Sequence, residues 1–497
     1  MRGFIIYCED DNRLEGTGLN GDTGTRGLQA RSMRGVEEVI LKTTVLLSVV
    51  AAIVFLWNVP VYLSADEQVP GSDILLRDEL LQLENEAIRW LKEQMVPNTI
   101  VQEPSPLRRR LVISYRIPET HQAFQYIYSR SFSYDNALAV IALTMAGAYQ
   151  EAELILTALQ RNMRDDGSFW FAHNTENSWP NEGDNEGAII RTGAVCWIGY
   201  AVVFFLSVRE QEDELFLEEE LLAQDLLDMA ERIGEWVLAR QVHDPSDLRH
   251  GLVTGGMGNY QLEVDKKENN LLEHYHRDEI TWVSMEHNID AYYFLRDLGR
   301  LTADGRYRRA SEEIAKRLLT LWSKDKGQLI RGVKGDQTVD DALPLDGASW
   351  ASLFMSSIGE RAKARRCLQT IERNFHNQSK GIRGYRPYYA DPVFEEREVN
   401  AYFYPDDPDT RWCDINIVWV EGSLGVAAAY IKSGQKRKAV DIMEAMMPLS
   451  CDGGMPYATV EIPYQFSIDP SVASTAWFVI VLEMLRKPER NALFWDR

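Results

Sequence analysis

Six times along this chain an acidic or small polar residue leads into an apolar helix rich in small residues. The segments are Tyr134-Asp135-Asn136-Ala137-Leu138, Asn185-Glu186-Gly187-Ala188, Glu286-His287-Asn288-Ile289-Asp290, Leu345-Asp346-Gly347-Ala348, Val420-Glu421-Gly422-Ser423 and Asp469-Pro470-Ser471-Val472. In five of them a carboxylate stands at the helix start: Asp135, Glu186, Glu286, Asp346 and Glu421. Such a carboxylate has an ordinary use, capping free N–H groups and complementing the helix dipole. If the helices share a rim it has a second use. Crowded carboxylates push one another's pKa values apart, leaving one protonated and another ionised near neutral pH. An acid and a base so paired are what hydrolysis of a glycosidic bond requires.

The elements that would bring these residues together are helical pairs. Apolar spacing predicts helices at 135–147 with 149–162, 187–208 with 214–240, 286–299 with 304–323, 347–358 with 360–374, and 418–433 with 435–447, each pair closely connected. An amphipathic helix at 74–95 and a lone apolar one at 471–486 remain. In each pair the first helix is apolar all round, so it belongs inside, and the second has a charged face and belongs outside. Pairing the two leftover ends gives an all-α fold, an (α/α)6 toroid of six inner and six outer helices over residues 74–490. A closed ring needs no polar capping repeats. The long connections, 163–186, 241–285, 324–346, 375–417 and 448–470, all join an outer helix to the next inner one. They therefore lie on one face, and short strands are expected in them, for example at Gly251–Gly256.

Around this rim the densest polar cluster is Trp282 to Asp290. Glu286 and Asp290 are four apart and share a helix face, with Asp290 one turn deeper. His287 reads as a proton carrier or as a structural histidine bonded to a loop carbonyl. Glu421 follows Trp412, Asp414 and Trp419, a stacking surface with hydroxyl acceptors for a pyranose ring. The leading acid and base pair is Glu421 with Glu286. Tyr134, Asp135, Glu186, His287, Asp290, Asp346, Trp350, Trp412, Asp414, Trp419 and Tyr457 are the substrate-positioning set. A separation of about 6.5–9.5 Å between the working carboxylates implies inversion, and about 5–5.5 Å retention.

The repeated pairing, with Tyr134-Asp135-Asn136-Ala137-Leu138-Ala139, Trp419-Val420-Glu421-Gly422-Ser423 and Gly453-Gly454-Met455-Pro456-Tyr457-Ala458-Thr459, resembles the six-hairpin glycosidase superfamily over residues 74–486. The resemblance implies a glycoside hydrolase, mostly inverting in that superfamily, with relatives that are phosphorylases, lyases and sugar epimerases. Other readings have weaker support. Asp406-Asp407-Pro408-Asp409 looks like a diphosphate motif, but its prolines make it a surface turn. No Cys-His pair has zinc spacing, and no metal or cofactor is implied. A lyase or epimerase would use a proton abstractor such as His173, His250, His274, His276 or Tyr457. A non-catalytic glycan-binding or scaffold subunit of a polysaccharide synthesis or export system is the alternative of a different class.

Composition narrows the partners. With 53 basic and 75 acidic residues the net charge is −22, which disfavours nucleic acid and polyanionic glycans unless arginines such as Arg191, Arg383 and Arg386 line the groove. Arg108-Arg109-Arg110 reads as a solvated surface turn. Residues 43–63 are uncharged, mainly apolar and long enough to span a bilayer as an anchor or signal peptide. Arg31, Arg34 and Lys42 precede this segment, and Asp66 and Glu67 follow it. Polar residues 1–42 are thus expected in the cytoplasm and the toroid outside it. Five scattered cysteines form no disulfide framework, and Cys196 reads as a buried small hydrophobe.

Overall fold

The computed structural model describes residues 73–121, 123–177, 189–211, 217–487 and 492–495. The segment 43–63, the polar tail 1–42 and Glu186 lie outside the described residues. Twelve long helices follow one another: α1 (Asp73–Glu93), α2 (Ser133–Ala146), α3 (Tyr149–Asn162), α4 (Thr192–Gln211), α5 (Leu217–Leu238) and α6 (Met285–Leu301) make the first half. The second half is α7 (Gly305–Leu318), α8 (Ser349–Ser357), α9 (Arg361–Thr370), α10 (Val420–Lys432), α11 (Lys436–Met446) and α12 (Val472–Arg486). The described residues from Asp78 onward belong to one compact unit.

The even-numbered helices form the inner ring. Each packs on the next, and α12 packs on α2 to close the circle. Their composition explains their place: every residue of α2 from Ser133 to Met145 is buried, as is every residue of α4 from Thr192 to Phe205. The α4 helix is long and apolar enough to cross a membrane, but most of it lies inside the barrel. Outer helices bury only a stripe, such as Ala152, Ile155, Leu156 and Leu159 of α3. The α1 helix is the sixth outer helix, tied to α12 by a Glu84–Arg486 ion pair and to α3 by Lys92–Glu151 at 2.7 Å.

One hydrogen bond recurs six times and sets the register of the ring. The N–H at the entry of each inner helix donates to a carbonyl in the loop that follows its own hairpin, or, for α12, in the loop after α1. The pairs are Ser133 to Phe171 (2.9 Å), Thr192 to Gly255 (3.0 Å), Met285 to Arg331 (2.8 Å), Leu345 to Pro387 (2.7 Å), Val420 to Tyr457 (3.0 Å) and Val472 to Ser114 (2.9 Å). Each satisfies a donor that an isolated helix leaves free. Three residues further on, a buried polar side chain grips the opposite neighbour. Asn136, Asn288, Ser423 and Thr475 accept the N–H of Val112, Val253, Tyr385 and Met455, and each donates back to the carbonyl four residues before it. Short antiparallel pairs reinforce these joints, among them 130–132 with 172–174 and 283–284 with 332–333.

Three local expectations are corrected. The second inner helix starts at Thr192 rather than 187, because Ile190 and Arg191 are held extended by pairing with Met257 and Gly256. Gly251–Val253 carries only a single bridge, Gln241 to Val253. The strand begins at Gly256 and forms with Asn270–Ile280 a long hairpin whose Leu262 reaches the mouth. Residues 108–110 do form a turn with Arg109 and Arg110 exposed, but Arg108 is buried, its guanidinium donating to the Asn162 side chain and to the Asn177 carbonyl at 3.3 Å.

Asn288 is fully buried, and its amide serves Val253 on both sides as well as Ser284. Replacing it by Ala orphans those backbone groups, so Asn288→Ala is expected to lower unfolding free energy by about 2–4 kcal/mol in chemical denaturation.

Candidate active site

The six entry bonds define which residues are equivalent. The residue after each donor is Tyr134, Gly193, Glu286, Asp346, Glu421 and Ala473. Four of these six, Tyr134, Glu286, Asp346 and Glu421, line one cavity of about 420 Å³ at the mouth. Asp135 is one place later in this register. It is buried behind the rim rather than in the cavity lining, and Glu421 acts on it from nearby. At the second hairpin the equivalent residue is Gly193. A Cβ there would fall 2.5 Å from the His287 ring and 2.9 Å from an Asp290 carboxylate oxygen, so the space is already filled from α6.

None of the rim carboxylates caps its helix. Ser284 is the cap of α6, accepting the His287 N–H, while α2, α8 and α10 have no side-chain cap. With capping removed as an explanation, the carboxylates face one another. Burial lifts Glu421 to about 7, held back by the hydroxyls of Tyr134 and Tyr457 and by the nearby Trp419 indole. Tyr134 donates to Glu421 Oε1 at 2.6 Å and accepts from the Trp477 indole at 3.1 Å. Glu286 also rises to about 7 through burial, with Arg331 opposing and Glu421 adding to the rise; its Oε1 has no hydrogen-bond partner. Asp346 is pushed well above the usual range by burial and then by Glu286 and Glu421, with only Ser349 donating to it, at 3.1 Å. Asp290 lies deeper. Burial, then Glu286 and Asp346, push its carboxyl well above the usual carboxylate range, and burial lifts Asp135 to about 8.

Above the carboxylates stands an aromatic wall. Trp412, Trp419, Tyr457, Tyr388 and Phe466 line the cavity; Tyr388 stacks on Trp412 and Phe466 on Tyr457, at centroid distances of 5.9 and 5.5 Å. Trp350 lines it as well. Asp414 is exposed and does not line the cavity; its carboxylate accepts the Arg411 N–H at 3.0 Å. His287 packs on Trp282 at 5.4 Å, and its Nδ1 meets no partner, so no loop carbonyl holds it there. Burial and Arg191 depress its pKa to about 3, leaving it neutral. Arg331 was not legible as a site residue. It lines the cavity beside Glu286 in an ion-pair group with Asp340 (2.7 Å) and Glu395. Nothing in Leu329-Ile330-Arg331-Gly332 sets it apart in sequence; only the Met285 bond to its carbonyl places it. Among the described residues no group of side chains has the make-up of a metal site.

Solved structures share this architecture. A D-mannose isomerase superposes with a TM-score of 0.53 at 9% identity, covering 83% of this chain and 98% of its own. The shared fold is an (α/α)6 toroid. A glycosidase in complex with glucose aligns with a TM-score of 0.53 at 11% identity over 84% of this chain and 99% of its own. A cellobiose 2-epimerase from Bacillus thermoamylovorans B4167 aligns at 0.53 and 12% over 83% and 100%. By sequence the chain matches no family model and no curated protein.

The raised carboxyl pKa values carry a stability signature. A group lifted from 4.5 to about 7 by folding favours the native state at low pH and loses that contribution as pH rises through this window. Glu286→Gln and Glu421→Gln should each gain stability over the parent as pH goes from about 4.5 to 7. The gain should reach up to roughly 3 kcal/mol and level off above that range, as read from denaturation midpoints across pH.

Proposed function

We propose that the chain is an enzyme acting on sugars, a glycoside hydrolase that uses Glu421 and Glu286 as its base and acid. The observation that carries this reading is the convergence of Tyr134, Glu286, Asp346 and Glu421 on one cavity under an aromatic wall, with both glutamates lifted to about 7. Glu421 suits the base, because two tyrosine hydroxyls favour its ionised form and fix its orientation. Glu286 suits the acid, since it lines the cavity and its buried Oε1 has no hydrogen-bond donor to favour the ionised form. Asp346, which lines the cavity, would bind sugar hydroxyls, and Trp412 and Trp419 would stack on the ring.

The sugar fits best if it is neutral. Arg191, Arg383 and Arg386 do not line the cavity, and Arg331 is already paired with Asp340 and Glu395. A second reading, isomerisation or epimerisation of a reducing sugar, is favoured by the D-mannose isomerase and the cellobiose 2-epimerase that share this fold. Against it, no histidine lines the cavity among the described residues, and the one candidate abstractor that does, Tyr457, is engaged with Glu421. We further propose that residues 43–63 tether the enzyme with its toroid outside the cytoplasm; membrane fractionation with protease protection is the check.

A panel of neutral oligosaccharides and reducing sugars, followed by NMR of the anomeric products, separates the readings. Hydrolysis with inversion is expected. Glu421→Gln and Glu286→Gln should each lower kcat by about 10³-fold or more with binding retained. Unchanged turnover in both variants would rule out this pair. The parent should show a bell-shaped kcat profile centred near pH 7, and loss of the bell in either variant is the matching signature.

A further inference from the structure

The barrel axis below the carboxylates is filled by aromatic side chains, and two of them come from outside the ring of helices. After α12 ends at Arg486, the chain returns to the axis and seats Phe494 and Trp495, only 1% and 3% exposed. Trp495 lies parallel to Tyr293 of α6 (4.8 Å, 4°) and to Phe494 (5.4 Å, 5°). It meets Trp197, Trp350 and Trp477 at 5.3, 5.4 and 6.3 Å. The Tyr200 hydroxyl pins the backbone, accepting the Trp495 N–H at 2.9 Å and donating to the Leu493 carbonyl at 3.4 Å. Trp495 has φ +45°, a left-handed backbone that a bulky residue keeps only where its surroundings impose it.

This seat is next to the cavity. Trp350 lines the cavity on one side and touches Trp495 on the other, and Trp477, which also touches Trp495, donates to the Tyr134 hydroxyl that in turn donates to Glu421. We infer that Leu493–Trp495 form an intramolecular plug that backs the cavity wall behind Trp350. Through Trp350 and Trp477 the C-terminus is a positioning element for the site, without touching substrate. The positioning role rests on the sugar-enzyme reading above; the plug itself does not.

The full-length protein carrying Trp495→Ala tests the plug first. Its Tm should fall by about 10 °C, and saturating indole, which fits the vacated space, should recover several degrees while leaving the parent unmoved. Trp495→Phe should lose much less. A stop codon in place of Leu493 should reproduce the loss seen with Ala. An unchanged Tm on truncation, or an indole shift equal in parent and variant, overturns the plug. With a sugar substrate, Trp495→Ala should raise KM tenfold or more while kcat stays within about threefold, and Trp495→Phe should restore KM. A crystal structure of Trp495→Ala should show the Trp350 ring turned from its parent position, a readout that stands even if no sugar is turned over. An unmoved Trp350 ring, or KM and kcat changing together, overturns the positioning role and leaves the plug structural.

Discussion

The structure depends on the hydrogen bond at the entry of each inner helix. A buried helix N-terminus leaves N–H groups that must find acceptors, and here the acceptor is a carbonyl of the loop on the far side of the same hairpin. Because the bond is made six times around a circle, it fixes the height and rotation of every inner helix relative to its neighbours. The residue next to the donor is then placed at the rim whatever its chemistry. Tyr134, Glu286, Asp346 and Glu421 reach one cavity for that reason, from helices far apart in sequence.

The same geometry produces the electrostatics. Carboxylates freed from capping and taken out of water are unstable as anions, and each raises its neighbours. The protein tolerates this by giving Glu421 two hydroxyl donors and by setting the Arg331 ion-pair group beside Glu286. For Asp346 and Asp290 the balance is tipped toward the protonated form. The pocket therefore holds acids and bases together at neutral pH, a condition a solvated cluster of the same residues does not reach.

Much of the fold was legible because its signal is periodic. All-apolar helices rich in small residues alternating with striped ones marked the inside and outside of the ring, and the unpaired ends at α1 and α12 implied closure. The rim was only partly legible. Lining up the acids placed Asp135 with Glu286 and Glu421, whereas the hydrogen-bond register places Tyr134 there, because a tyrosine at this position gives no acidic signal to align. Asp414 was drawn in by nearness in sequence to Trp412, but its carboxylate accepts the Arg411 N–H, outside the cavity lining. Arg331 and Trp495 were invisible for a different reason. One is in an irregular loop and the other in a tail, where no periodicity links a residue to what it touches.

The joint between Val472 and Ser114 differs from the other five in what it connects. Every other entry bond ties a helix to its own hairpin, while this one ties the last helix to the first loop. Tyr134 likewise waits for Glu421 and Trp477, 287 and 343 residues away. Contacts of such long range are slow to form, since the intervening loop must close before they repay its entropy. A chain emerging from the ribosome can therefore build its early hairpins one by one, but the ring closes and the rim is completed only after the final helix has been synthesised. The site is the last part of the ring to be completed.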